Sequence, residues 1–128
     1  MSYELVLEKR PTYLHAKVVG ERTPANARRF LEEAYAACVQ SGYSALLLEM
    51  QLSGPSLNTG AILDVISQRA PEGSKLSRIA YVQPITDDPA MPHFAELAAR
   101  NRGVNVRLFL TVDAATLWLS GADQANSQ

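Results

Sequence analysis

Apolar and polar residues alternate with period two over Tyr3 to Glu8, with Tyr3, Leu5 and Leu7 on one side and Glu4, Val6 and Glu8 on the other. Tyr13 to Gly20 repeats the pattern through Leu14, Ala16 and Val18, so both stretches predict strands. Pro11 between them breaks a continuing strand and makes the pair a hairpin. Thr23 and Pro24 then suit a helix N-cap and first helical position. Ala27, Phe30, Leu31, Ala34 and Cys38 recur at steps of three and four as a buried stripe, with Arg28, Arg29, Glu32 and Glu33 on the wet side and Gly42 as stop.

Ala45 to Met50 has no polar face of its own except at Glu49, which predicts a central strand covered on both faces. Ser53 to Gly60 interrupts it, and Ile62, Val65, Ile66 and Ala70 resume with helical spacing, closed by Pro71, Glu72 and Gly73. Ser77 to Val82 is the fourth strand, stopped by Pro84. A third helix begins at Pro89 or Pro92 and buries Phe94, Leu97 and Ala98, with Gly103 as stop. Asn105 to Thr111 is the last strand. Asp113 is the expected cap of a short helix carrying Leu117, Trp118 and Leu119. After the hairpin, strands and helices alternate. The fold class is therefore α/β, a single-layer mixed, mostly parallel sheet of about five strands with about four helices, in the order ββαβαβαβα.

The 128-residue length fits one domain, expected over residues 1–120, with the small polar stretch 121–128 as a disordered tail. A net charge of −1 from 12 basic and 13 acidic residues supplies no field to attract nucleic acid. The start, MSYELVLEKR, is too charged for a signal peptide, and the longest apolar runs are short pieces such as Ala45 to Leu48, so no integral membrane segment is expected. With one cysteine, Cys38, no internal disulfide forms, and a cytoplasmic location follows. Cys38 sits on the buried stripe with nothing basic at helical spacing, and reads as core.

The stretch LLLEMQLSGPSLNTGAILDVI, together with NVRLFLTVDAATLWL near the end, resembles the SpoIIAA-like branch of the STAS domain superfamily, the anti-sigma factor antagonists. The resemblance covers Tyr3 to about Leu119 and rests on element order and short motifs. Phosphorylated members carry an Asp-Ser-Ser/Thr-Gly motif where the central strand's loop enters the next helix, with the phosphoacceptor just before the glycine. Asn58, Thr59 and Gly60 match it here, with Asn58 at the acidic position and Thr59 at the phosphoacceptor position. The resemblance implies a non-enzymatic regulatory or protein-interaction module whose partner is an anti-sigma factor-like kinase. Other branches resemble the Sec14-type lipid-binding fold, which implies the alternative of a small-ligand or lipid carrier with an apolar pocket between sheet and helices.

Ligands of open α/β sheets usually bind beyond the carboxyl ends of the strands. Three loops should meet there, Glu21 to Pro24, Gln51 to Gly60 and Gln83 to His93. They bring Ser53, Ser56, Asn58, Thr59 and Gly60 together as a phospho-switch or ligand loop, with Asp87, Asp88 and His93 as further contributors. A helix N-terminus there favours a phosphate or carboxylate, although SGPSLNTG matches no phosphate-binding fingerprint. The plainer reading is a capped turn, with Ser56 or Asn58 accepting from helix amides. A Ser, His93 and Asp87 or Asp88 hydrolase triad lacks the Gly-x-Ser-x-Gly elbow, so no catalytic residue is assigned. His15 and His93 are the only histidines, and neither a metal site nor a cofactor is expected. His15, opposite Leu14 and Ala16, reads as a surface or packing residue. Arg100, Arg102 and Arg107 read as a solvated face near a helix C-terminus. A homodimer through an edge strand or exposed helix face is compatible with the pattern.

Overall fold

The computed structural model describes residues 3–55, 57–83 and 90–120. Strands β1 (Tyr3–Lys9) and β2 (Leu14–Glu21) form the expected hairpin, antiparallel with Tyr3 opposite Gly20 and Lys9 opposite Leu14. Helix α1 (Pro24–Gln40) leads to β3 (Ala45–Ser53), α2 (Thr59–Gly73) to β4 (Arg78–Val82), and α3 (Ala90–Arg100) to β5 (Val106–Phe109), followed by α4 (Val112–Leu119). The five strands lie in the order β1-β2-β3-β4-β5, and every pair after the hairpin is parallel.

This order decides where the helices go. Parallel crossovers are right-handed, so three that advance across the sheet without reversing place their helices on one face. Accordingly α1 packs on β1 to β3, α2 on α1, and α3 on α2 and β5. Beneath them lies the larger apolar cluster, including Leu14, Val18, Phe30, Leu46, Leu48 and Ile79. Among the described residues the opposite face receives only α4, which covers β3, β4 and β5 through a second cluster around Leu47, Ala80, Val82 and Trp118. Trp118 lies against Phe109, with ring centroids 5.6 Å apart, and under the guanidinium groups of Arg78 and Arg107 at 5.3 and 5.8 Å. Such cation–π contacts favour a buried indole edged by charge.

Two expectations are corrected, at Leu97 and at the α4 cap. Helix α2 closes at the Pro71, Glu72, Gly73 sequence as expected, running through Pro71 to end at Gly73 with Ser74 as its C-cap. A proline this late forfeits one amide bond, and the turn is held by the Ser74 amide on the Ala70 carbonyl (2.8 Å) and by packing of Gly73 under Tyr35. A Cβ on Gly73 would stand 3.3 Å from the Tyr35 ring. Helix α3 turns Leu97 outward (58% exposed) and buries Ala98 and Ala99, because small residues let it approach α2 and β5. Pro89, one of its two expected starts, lies outside the described residues, and Pro92 falls in the first turn, where a missing amide hydrogen costs no helical bond. The cap of α4 is Thr111, whose hydroxyl accepts from the Ala114 amide at 3.2 Å, with Asp113 inside the first turn. Of the two readings of His15, surface or packing residue, the second holds: it is buried and its Nε2 lies 2.9 Å from Glu49 Oε1. The expected tail 121–128 and the Pro84 strand stop lie outside the described residues.

Candidate functional site

The carboxyl ends of β2 and β3 are tied together before their loops diverge. Glu21 stands opposite Ser53 in the parallel register, the Arg22 amide donates to the Ser53 carbonyl at 2.8 Å, and the Ser53 hydroxyl donates to Gly20 at 3.3 Å. The Arg22 guanidinium donates to the Leu52 carbonyl at 3.2 Å and to the Gly54 carbonyl, so a cation is set at the exit of β3. Gly54 has φ +98, a conformation in which a side chain is strained, and this turns the chain back toward α2.

The start of α1 is fixed by the residues the sequence suggested and by one it did not. Thr23 caps it, its hydroxyl accepting from the Asn26 amide at 3.1 Å, with Pro24 first in the helix. Asn26 is buried, and its side-chain amide donates to the Glu21 carbonyl at 2.8 Å, joining the end of β2 to the helix. Burial without that bond would leave a costly unpaired amide. Its only signal in the sequence is a polar residue inside an otherwise apolar first turn.

At the start of α2, Asn58 is the N-cap, and its Oδ1 accepts from the Ala61 amide at 2.8 Å. The capped turn expected of this loop is therefore present, through Asn58. An uncharged amide does this work as well as a carboxylate, since capping needs only an acceptor oxygen. Leu57 turns inward, while Asn58, Thr59 and Gly60 are exposed, with Thr59 the first helical residue. Gly60 differs from Gly54. Its φ is not positive, and a Cβ on it would meet only Asn58 Oδ1 at 3.5 Å, an ordinary contact. Neither backbone geometry nor packing requires a glycine there.

His93 is exposed on the second turn of α3, with Nδ1 3.8 Å from Glu96 Oε1. Glu96 itself is held by the Leu108 amide at 2.7 Å, joining α3 to β5. Ser56, Asp87 and Asp88 lie outside the described residues. Among the described residues no group of three or more His, Cys, Asp or Glu side chains is placed to hold a metal ion. The three arginines read as a solvated face are all exposed but do not share one surface. Arg102 bonds Ser67 Oγ at 3.0 Å and the Ala98 carbonyl at 3.1 Å, whereas Arg107 stands over Trp118 on the other face.

Arg22 and Thr23 after β2, Leu57 before α2, Gln83 after β4, and Met91 and Pro92 of α3 line one mostly apolar cavity of about 140 Å³ between the sheet and α1, α2 and α3. The strand order never reverses, so no crevice between two helix layers exists, and the space opens under the single layer of helices. Cys38 is remote from it in the core, its thiol directed at the Tyr43 and Ala45 carbonyls and its pKa pushed up to about 11 by burial.

The mixed five-stranded sheet in sequential order, with one antiparallel edge, three crossover helices on one face and a terminal helix on the other, is the fold the resemblance implied, and it is shared with a solved anti-sigma factor antagonist. Among solved structures the chain is similar to an anti-sigma factor antagonist from Mycobacterium paratuberculosis, at 20% identity, covering 93% of this chain and 95% of that one with a TM-score of 0.54. No family model and no curated protein sequence matches the chain. Among the described residues no helix is long and apolar enough to cross a membrane.

Proposed function

We propose that this chain is a non-enzymatic regulatory module that binds a protein partner through the exposed start of α2, with Thr59 as the residue that switches the binding. The observation that carries the reading is Gly60. A glycine inside a helix costs roughly 0.5–1 kcal/mol relative to alanine. At this position nothing in the fold demands it. A bare backbone beside an exposed hydroxyl lets another protein approach the Thr59 side chain closely. The likeness of fold to an anti-sigma factor antagonist makes an anti-sigma factor-like kinase the partner of choice. In that case the Thr59 hydroxyl oxygen attacks the γ-phosphorus of ATP held by the partner. The new O–P bond forms as the bond to the β-phosphate oxygen breaks, and the hydroxyl proton passes to a base of the kinase. The phosphate so formed sits at a helix N-terminus, where its charge is favoured, and alters the surface the partner reads. On this reading the module works in the cytoplasm, where the partner finds its ATP.

Calorimetry between the purified chain and anti-sigma factor kinases encoded in the same genome tests the proposal. Thr59→Glu is expected to weaken binding about tenfold, or ~1.4 kcal/mol. Thr59→Val is expected to keep binding and to abolish the gain of one phosphoryl group seen by intact mass after incubation with ATP. Equal binding by wild type and the Glu variant, with no phosphoryl gain, removes the switch.

A further inference from the structure

The cavity between the sheet and α1, α2 and α3 has a polar end and an apolar body. Met50, Ile62, Val65, Ile79 and Ala99 form walls without a hydrogen-bonding group, whereas Arg22, Tyr81 and Gln83 collect where the strands end. The Tyr81 hydroxyl points to Gln83 Oε1 across a long 3.5 Å contact, and Arg22 lies near enough for its charge to bear on the phenol. Arg22 spends two of its five donors on the Leu52 and Gly54 carbonyls. Among the described residues no carboxylate pairs with it. The acidic side chain on the wall, Glu96, is turned to the Leu108 amide.

Size and charge together narrow what such a space accepts. A volume of about 140 Å³ is close to that of the apolar protein cavity of roughly 150 Å³ that admits benzene. It holds one ring or a short branched chain and is too small for a long acyl chain. A half-buried cation with spare donors, at the end of an apolar wall and beside a phenolic donor, selects a carboxylate over a neutral head. We infer that the cavity is a binding site for a small apolar monocarboxylic acid, its carboxylate on Arg22 and Tyr81 and its ring or chain among Met50, Val65 and Ala99.

This goes beyond the partner surface at Thr59 and stands or falls separately from it. Leu57, which lines the cavity, directly precedes the cap of α2, so an occupant would also touch the segment that carries Thr59.

Phenylacetate and its neutral amide, phenylacetamide, are suitable probes, followed by amide shifts in two-dimensional NMR and by thermal unfolding of the full chain. The acid is expected to bind saturably with a Kd below about 1 mM, shifting the signals of Met50, Tyr81 and Ala95, and the amide to bind at least about tenfold more weakly. Arg22→Gln should make the two probes equal. Because Arg22 also ties the exits of β2 and β3, Tyr81→Phe serves as the second variant and should reduce the preference for the acid with the fold intact. Ala95→Leu, which adds three side-chain carbons at the cavity wall on α3, should weaken both probes about tenfold without altering the circular dichroism. No saturable shift with either probe overturns the site, as does unchanged binding by Ala95→Leu. Equal affinity of the wild type for acid and amide overturns the role of Arg22 and with it the carboxylate. Partner binding by Thr59 variants is measured without either probe, so loss of one proposal leaves the other readable.

Discussion

The two faces of the sheet are built by different means. On the face under α1, α2 and α3, connectivity does the work, since right-handed crossovers in a sheet of unreversed order lay successive helices side by side. On the other face, cover depends on α4, which docks Trp118 and Leu119 over β3 to β5 and leaves the half formed by β1 and β2 open. There Val6 and Val19 are 42% and 38% exposed, and the polar set His15, Lys17, Glu49 and Gln51 occupies the border. Glu49 takes His15 on one oxygen and the Gln51 amide on the other, at 2.9 and 3.0 Å. One face thus has space left over beneath a continuous helical roof, and that space is the cavity. The other has a single lid and a mixed margin. A continuous roof tolerates a gap because its helices also brace one another, as Arg69 of α2 does by lying between Glu32 of α1 and Glu72 at 3.6 and 3.4 Å.

The largest expected effect tests the lid. Trp118→Ala should cost about 4 kcal/mol in urea unfolding followed by circular dichroism, because it removes a large buried indole from that face's cluster together with its two arginine contacts. A cost below about 1 kcal/mol would mean that α4 contributes little to holding the sheet. Leu46→Ala, one residue along β3 from Leu47 but facing the helical roof, should cost about 3 kcal/mol. Leu47→Ala should cost about the same in the wild type and much less in the Trp118→Ala background, since the two share one cluster.

A pH profile separates the faces in another way. Burial pushes the Cys38 thiol up to about 11 and the Tyr81 phenol up to about 12, both beneath the roof. The unfolded chain loses these protons first, so their contribution to stability is complete below about pH 9 and is lost as pH rises through the folded values. Alkaline unfolding measured from pH 9 to 11 should be less steep in Cys38→Ala, and an unchanged profile would deny the thiol that role.

Smaller effects are expected at the rim. Asn58→Ala should destabilise by about 1 kcal/mol through loss of the cap, whereas Asn58→Asp should be neutral or slightly stabilising. Gly60→Ala should stabilise by roughly 0.5–1 kcal/mol and at the same time weaken partner binding, while Gly54→Ala should destabilise because of its positive φ. Smallest of all, Val6→Thr on the open margin should change thermal stability by no more than about 0.5 kcal/mol.

Much of this was legible along the chain. The Thr23 cap with Pro24, the buried stripe of α1 through Cys38, the Gly42 and Gly103 stops and the central position of β3 all follow from local periodicity and backbone chemistry. The loop entering α2 was legible as a capped turn with Ser56 or Asn58 as acceptor, and the structure shows Asn58 in that role. Errors fell where two elements had to be compared. Leu97 has the spacing of a core residue, yet the α2 and β5 neighbours select the alanine side of α3. Asp113 and Thr111 are both competent caps, and only the direction of the chain leaving β5 chooses between them.

Alternation, spacing and capping residues by themselves determined which segments are strands and helices, their order, and the exposed Asn58, Thr59 and Gly60 sequence at a helix start. Each of these depends on neighbours within a few positions, which the sequence carries directly. The pairing of His15 with Glu49, the buried bridge from Asn26 to Glu21, the contact of Arg22 with the exit of β3, and the cavity with its polar end were decided by the tertiary structure alone. All join residues of different elements, and their physical cause is the advance of the crossovers in one direction. That advance fixes which side chains share a face, and no local pattern encodes it.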